Sequence, residues 1–476
     1  MDEANLLMGV QATVSELGQL INGTLVTSGQ SIPVVNPSSG EEFARCPAAT
    51  VEMVDTAMAA AAAALPAWSA RPEAERRAVI KAMADAIGAN YATIEEITAL
   101  EKGASSIALE ALAAPWFGNH IAEQELRVDI IEDSAERTVK VVRAPFGVVA
   151  AIIPWNAPIL ILAEKVFSAL LVGNTIVAKP SPFTPLATLF VAKIWKDLVP
   201  PGVVNILAGD DEVGKAMVAH PTTRLISFTG SIAAGRAIAA AAAPGLKNVL
   251  LELGGNDAAI VLDDVDPKKV AQRIFDSAFT GHGQVCAAIK RVYAHESVYQ
   301  GLVDELAVIA HERAATMIPV TTKPQFDRVS ELVTDALDHG GKAVAGGAPA
   351  EGSGYFYPPT IMTGVGPGVR VVDEEQFGPV LPVIPFSDVE WAIEQANATE
   401  YGLCGSVWTS DIAHGEQIAA RLECGTAWVN QHTEIDPKIP FGGVKSSGIG
   451  RNNGQVGLDA YAELKTVIVY KDRERV

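Results

Sequence analysis

Between Gly147 and Val261 the chain alternates short apolar, β-branched runs with longer helical segments. VVAAIIP precedes a helical pattern to Leu171, NTIVAKP one to Leu198, VVNILAG one to Ala219 and RLISFTG one to Ala242, and NVLLELGG closes the series. Runs without a polar alternate face read as strands covered on both sides, and a helix between each pair predicts parallel βαβ units. A second cycle opens at AAIVL, passes through a helix to Phe279 and continues near KAVAGG, VLPVIPF, CGSVWT and TAWVN. The fold class is therefore α/β, with two doubly wound domains. No internal repeat of roughly 20–50 residues is visible.

Upstream, residues 50–115 are Ala-rich and read as helices broken at Pro66, Pro72 and Gly103. The run Ala59 to Ala64 has acidic and apolar flanks, as a packed helix does. The pattern then changes. VDIIEDSAERTVKVVRA, from Val128 to Ala144, alternates β-branched and charged residues around an acidic-Ser turn and predicts a hairpin, with a matching strand in the terminal ELKTVIVYK. Strands of this kind are expected to pair with another subunit, the alternative being an internal edge.

A length of 476 residues implies two or three packed domains, and 49% hydrophobic against 19% charged residues is the profile of a folded enzyme. The net charge of -20 argues against nonspecific nucleic-acid binding, although backbone amides and one lysine can still reverse the local field for an anionic cofactor. Four cysteines (Cys46, Cys286, Cys404 and Cys424) lack metal-ligand spacing, so no metal site or disulfide framework is expected and a reducing compartment is favoured. MDEANLLMGV has no basic region before an apolar core, and the apolar stretches are too short to span a bilayer. A cytoplasmic protein without membrane partners is the expectation.

The most informative chemistry is a Glu and a Cys flanked by small residues, Glu252 in LLELGG and Cys286 in GHGQVCA. A nucleophilic sulfur and a general base, each beside backbone too small to crowd a substrate, point to covalent catalysis followed by hydrolysis. Three strand ends add candidates, because ligands of α/β sheets sit beyond the carboxyl ends of strands. These are Trp155 and Asn156 in IIPWNAP, Lys179 in IVAKPSP, and Gly230 and Ser231 in ISFTGS. The G-x-G-x-x-G fingerprint is absent, which disfavours a standard Rossmann site. Taken singly, each candidate also reads as a turn, a solvated lysine, an N-cap or an inert core thiol.

Their order is more telling. PWN at 154–156, KPSP at 179–182, FTGS at 228–231, LELGG at 251–255, GQVC at 283–286, EEQFGPV at 374–380 and PFGGVKSSG at 440–448 follow one another. In this the chain closely resembles the NAD(P)-dependent aldehyde dehydrogenase superfamily, from VVNPSSGE at 34–41 to the terminal strand. The resemblance implies an aldehyde-dehydrogenase-like fold: a modified Rossmann cofactor domain at 1–122 and 145–253, a catalytic domain at 254–450, and a small β oligomerisation element at 123–144 and 451–476. It implies Cys286 as nucleophile, Asn156 and the Cys286 N–H as oxyanion donors, and Glu252 as activator of the hydrolytic water. It also implies NAD or NADP held by Trp155, Lys179, Gly230, Ser231, Leu253, Glu375 and Phe377, and a homodimer or homotetramer. The substrate pocket would comprise Ile161, Glu164, Val285, Ala287, Thr433, Ile435 and Phe441, mostly apolar and suited to an aliphatic or aromatic aldehyde.

Three departures qualify this. Pro182 stands where many NAD-preferring relatives carry a ribose-binding Glu, and its neutrality removes a repulsion against a 2′-phosphate. Asn452 stands where many carry a Glu that supports the catalytic water. TMIPVTTKPQFDRV replaces the more usual Gly-Pro after the methionine region, with no predictable effect. Glu164 takes the place of a bulky aromatic, and would repel anionic substrates if it faced the pocket rather than water. The competing functions are a CoA-acylating relative, against which Glu252 argues, and a non-catalytic nucleotide-binding homologue.

Overall fold

Five parallel strands, in the spatial order Asn248–Glu252, Thr223–Thr229, Val148–Ile152, Thr175–Lys179 and Val204–Ile206, form the centre of the first sheet. The computed structural model describes residues 3–103 and 109–472. The sheet starts at its middle strand, Val148–Ile152, grows outward through two crossovers, then fills the opposite side. Where the direction of growth reverses, between Val148–Ile152 and Thr223–Thr229, the connections part and leave a crevice beyond the carboxyl ends. Antiparallel strands close both margins: Gly448–Ile449 returns to pair with Asn248–Glu252, and the hairpin Gln19–Ile21 with Thr24–Val26 flanks Val204–Ile206.

The second sheet runs Thr360–Thr363, Val380–Phe386, Ile289–His295, Asp257–Val261, Cys404–Trp408 and Thr426–Val429, all parallel, with Lys342–Ala345 antiparallel at one edge. Ile289–His295 is a strand the apolar pattern does not predict, because Lys290 and Arg291 interrupt it. Both cations are buried and satisfied: Lys290 Nζ donates to the Val285 carbonyl at 2.6 Å, and Arg291 to the Asn256, Gln395 and Ala396 carbonyls at 3.0–3.2 Å.

Under the first sheet lies helix Pro158–Val172, buried along nearly its whole length beneath Glu73–Ala89 and Leu109–Glu123. Its Phe167 is fully enclosed beside Trp195 and faces Gly118. Pro66 does not break its helix as the sequence reading had it. It lies inside Val51–Ser69, near the end, where only the bond to the carbonyl four residues earlier is forfeited, and the break comes before Pro72. Gly103 does end a helix, Tyr91–Lys102, in the left-handed region (φ 71°), where a Cβ would run into Pro319.

The predicted hairpin forms as Val128–Asp133 and Arg137–Pro145. Its partner is the terminal strand Ala462–Tyr470 of the same chain, in register from Ala462↔Pro145 to Tyr470↔Arg137. The resulting three-stranded sheet leaves Val128, Ile130, Ile131, Leu464 and Ile468 exposed. Among the described residues no helix is long and apolar enough to cross a membrane.

The Gly118–Phe167 approach has a measurable consequence. A Cβ on Gly118 would stand 2.6 Å from Phe167 Cε2 and 2.7 Å from Ala84 Cβ, both in a filled core. Gly118→Ala should therefore lower stability by about 1–3 kcal/mol through overpacking, despite alanine's better helix propensity. Gly9→Ala, in helix Glu3–Val14 with nothing within 4 Å, should be neutral or stabilising. Urea unfolding midpoints of the two variants compare them directly.

Candidate active site

Strand Asn248–Glu252 ends at the carboxyl edge of the first sheet, and the link Leu253–Asn256 carries the chain straight into Asp257–Val261, central in the second. The carboxyl ends of one sheet therefore face the amino ends of the other. Glu252 is the last residue before the link. Cys286 precedes strand Ile289–His295, whose first residue pairs with Asp257. The loop after Val148–Ile152 brings Trp155 and Asn156 to the same junction.

The cysteine loop is held from several sides. Gly281, His282 and Gly283 all adopt left-handed backbone (φ 55°, 61° and 76°), which at His282 costs conformational energy for a non-glycine residue. His282 Nε2 pairs with the Tyr357 carbonyl at 2.8 Å, and burial lowers its pKa to about 4, so the ring is neutral. Gln284 accepts from the Thr321 N–H at 2.8 Å through Oε1, and its carbonyl accepts from Asn156 Nδ2 at 2.9 Å. Asn156 is thus oriented with one amide hydrogen engaged and one free. Its own carbonyl accepts from Lys102 Nζ, which also binds Glu110 at 2.6 Å, while Glu110 accepts from the Ile159 N–H at 3.3 Å. A buried ion pair therefore fastens the turn that carries Asn156.

Two cavities meet at Cys286. A groove of about 490 Å³ runs along the first residues of helix Ile232–Ala242, past Gly230, Ser231, Arg236, Leu253 and Gly254 to Gln325, Arg328, Glu375 and Phe377. A chamber of about 280 Å³ lies on the other side, walled by Phe117, Leu160, Val285, Ile435 and Phe441 and by the polar Glu164, Glu252, Thr321 and Asn452. Trp155, Asn156, Ile161, Thr229 and Cys286 line both. Trp155 and Phe377 meet edge to face, ring centres 5.4 Å apart, on the groove side of this junction.

Burial pushes the Cys286 thiol up to about 12, with the nearby Glu252 carboxyl as the next cause and Lys290 opposing it. Glu252, 5% exposed, is held well above the usual carboxylate range by burial and then by Glu164, while Lys165 and Arg451 pull it back. Glu164 is raised to about 7 by burial, and Lys165 is lowered to about 8 for the same reason. Lys165 Nζ donates to Ser227 Oγ at 2.9 Å, and that hydroxyl is 2.9 Å from the Tyr461 hydroxyl. In the groove Glu375 accepts from the Gly255 N–H at 3.0 Å.

Most of the sequence candidates converge here, with three exceptions. Ala287 is fully buried against Leu403 and Cys404, behind the chamber wall, because the chain turns inward after Cys286 to enter its strand. Thr433 does not line the chamber either; its hydroxyl ties the Ala287 and Ser277 carbonyls at 2.9 and 3.3 Å. Lys179 stands at its strand end outside the groove lining, its ammonium 3.3 Å from the Pro180 carbonyl and its pKa drawn to about 8 by burial. Glu164 faces the chamber, not solvent. Sequence reasoning missed the Lys102–Glu110 pair, Phe117, Lys165 and the groove residues Gln325 and Arg328. The last two, with Thr321, come from the TMIPVTTKPQFDRV stretch, which therefore lines both cavities.

This geometry has close counterparts. The aldehyde dehydrogenase family model matches residues 25–467. The chain is 34% identical to phenylacetaldehyde dehydrogenase of Pseudomonas fluorescens, over 95% of this chain and 94% of that one. The NAD+ complex of aldehyde dehydrogenase from Bacillus cereus superposes with a TM-score of 0.94 at 35% identity, covering 98% of this chain and 99% of that one. An NADP-dependent enzyme of E. coli does so with a TM-score of 0.92 at 32% identity, covering 99% and 100%. The chain belongs to the aldehyde dehydrogenase family and is an NAD(P)-dependent aldehyde oxidoreductase.

The raised thiol is open to test. Below about pH 12 the thiolate fraction of Cys286 grows tenfold per pH unit, so its alkylation by iodoacetamide should rise in that proportion from neutral pH upward. Glu252→Gln removes a like charge and should accelerate labelling at a fixed alkaline pH. Peptide mass spectrometry follows the site; a rate flat above neutral pH would mean the thiolate is already formed.

Proposed function

We propose that the protein oxidises an aliphatic or aromatic aldehyde to the carboxylic acid with NAD(P)+ and water, through a thiohemiacetal and then a thioester on Cys286. The observation that carries this reading is the meeting of groove and chamber at Cys286, with the unpartnered Glu252 carboxyl in the chamber. The sulfur, as thiolate, attacks the carbonyl carbon. The free Asn156 amide hydrogen and the Cys286 N–H stabilise the oxygen as it becomes anionic, each such donor being worth about 2.7–4 kcal/mol. Glu252 takes a proton from water as its oxygen adds to the thioester carbon, and the carbon–sulfur bond breaks to return the thiolate.

The groove fits a dinucleotide. Ser231 caps helix Ile232–Ala242, its Oγ accepting from the Ala234 N–H at 3.2 Å, so Gly230 and Ser231 offer a helix N-terminus to a pyrophosphate. Glu375 and Phe377 would hold the nicotinamide ribose, and Trp155 and Leu253 would shape the channel. Bound there, NAD(P)+ would supply the hydride acceptor needed to take the Cys286 thiohemiacetal to the thioester. Pro182 brings no carboxylate to the adenosine end, in keeping with either cofactor. Phe117, Leu160, Ile161, Val285, Ile435 and Phe441 give the aldehyde an apolar lodging. We assign 1–122 and 145–253 to cofactor binding, 254–450 to catalysis, and 123–144 with 451–476 to a homodimer or homotetramer contact.

Turnover should be independent of CoA and abolished in Cys286→Ala while cofactor binding persists. Glu252→Gln should retain a first-turnover burst of reduced cofactor and lose steady-state rate by about 10²–10⁴-fold. Stopped-flow fluorescence separates the phases, and CoA-dependent turnover would favour acyl transfer instead. For assembly, Ile130→Lys combined with Ile468→Lys should lower the mass seen by light scattering. A wild-type protein already monomeric would remove the oligomer reading.

A further inference from the structure

Helix Pro158–Val172 turns Leu160, Ile161 and Glu164 toward the chamber. Among them only Glu164 is ionisable, and it is 9% exposed. Its Oε1 has no hydrogen-bond partner, and neither do both oxygens of Glu252, Thr229 Oγ1 and Asn452 Oδ1, all in the same chamber wall. These groups share one location. Thr229 and Glu252 are register partners on adjacent strands, Asn452 is bridged to Phe441, and Lys165, next to Glu164, is bonded to Ser227 on the Thr229 strand. Buried acceptors so grouped call for water, each orphan otherwise costing about 1–3 kcal/mol. The chamber's other carboxyl, Glu110, is already bound to Lys102 and the Ile159 N–H, and Asn452 cannot take a proton.

We propose that Glu164 is the second member of a carboxyl pair that shares one proton with Glu252 through chamber water, sets the basicity of Glu252 and receives its proton. This rests on the reading of Glu252 as the hydrolytic base. Two carboxyls in one poorly solvated cavity do not both ionise readily, so the charge on one raises the proton affinity of the other. The direction for Glu252 agrees, Glu164 being the largest influence on it after burial. The groups facing the pair are Lys165 on the same helix, Arg451 and Asn452 on the returning loop, the Tyr461 hydroxyl through Ser227, and the Cys286 sulfur. The state competent for hydrolysis has both carboxyls ionised, so that the charge on Glu164 raises the proton affinity of Glu252. Water then gives a proton to Glu252 and its oxygen to the acyl carbon, the electron pair of the broken carbon–sulfur bond returns to Cys286, and the proton, shared with Glu164, leaves through chamber water. A carboxylate whose proton affinity is raised is a stronger base than an ordinary one, which is what the second carboxyl contributes.

The experiment is the pH dependence of thioester hydrolysis, taken as steady-state turnover after the first-turnover burst, in wild type, Glu164→Gln, Glu164→Asp and Glu252→Gln. Glu164→Gln removes the like charge, so the acid limb should move to lower pH by about one unit or more. The plateau should fall because Glu252 becomes a weaker base. An unchanged burst amplitude shows that the variant folds and binds, and Glu164→Asp should restore part of the wild-type profile. An unmoved acid limb in Glu164→Gln overturns the inference, as does a change confined to KM, which would make Glu164 a substrate contact only. If Glu252→Gln hydrolyses normally, the base reading and this inference fall together; if it stalls as acyl-enzyme while Glu164→Gln keeps the wild-type profile, this inference alone falls.

Discussion

Everything at the site depends on one crossing of the chain, the link Leu253–Asn256 between the two sheets. It is too short to wander, and it is held at each of its four residues. The Leu253 N–H donates to the Ser447 carbonyl at 2.9 Å, the Gly254 carbonyl accepts from Ser447 Oγ at 2.7 Å, the Gly255 N–H donates to Glu375, and Asn256 binds Val372 and Arg291. Both glycines are there for closeness: a Cβ on Gly254 would collide with the Glu375 carboxylate, and one on Gly255 with Leu403 and the Cys286 carbonyl. The link thus sets the separation of Glu252, the Cys286 loop and the Glu375 carboxyl at once. The Ser447 hydroxyl that donates to Gly254 also accepts from the Gly402 N–H, so the returning segment around Gly448–Ile449 is sewn to the same point.

Buried charge divides into two kinds. Lys102 with Glu110, Lys290, Arg291 and Glu101, whose carboxylate receives the Leu186 and Ala187 N–H groups, are enclosed and fully engaged. Removing one partner would leave an uncompensated ion, so these groups hold loops and helix ends in fixed places. Glu252 and Glu164 are enclosed and unengaged. Such groups weaken the fold, and a cavity that keeps two of them side by side keeps them for proton transfer or for a ligand.

The fold was legible wherever burial on both faces of a strand left an uninterrupted apolar run, as at VVAAIIP, IVAK and AAIVL. It was illegible where folded partners accept from buried cations, as in IKRVYAH, where Lys290 reaches the nearby Val285 carbonyl and Arg291 the distant Gln395 and Ala396 carbonyls. Pro66 misled for a related reason, since its cost depends on its place in the helix. At the site, Cys286, Glu252 and Asn156 stood out because their neighbours are small residues or turns. Lys102, Glu110 and Lys165 gave no such signal; they act from helices, at a distance in sequence, and read as ordinary surface charges. Ala287 and Thr433 lie in turns outside the strands, and the turns carry them away from the chamber: Ala287 packs against Leu403 and Cys404, and Thr433, in left-handed backbone, ties the Ala287 and Ser277 carbonyls.

The two cavities draw on largely separate parts of the chain. The groove is built from the 230–236, 253–254, 325–328 and 375–377 segments, the chamber from helix Pro158–Val172, the 280–286 loop, Ile435, Phe441 and Asn452. Their overlap is confined to five residues around the thiol, so the chamber can change shape and charge without disturbing the dinucleotide groove. That independence is what allows a carboxyl to occupy helix Pro158–Val172 at Glu164. Under the proposed mechanism, a charge there would alter the aldehyde's surroundings and the basicity of Glu252 together, because one wall holds both. By the same mechanism, selectivity for substrate and the rate of water attack would therefore be coupled through this one wall.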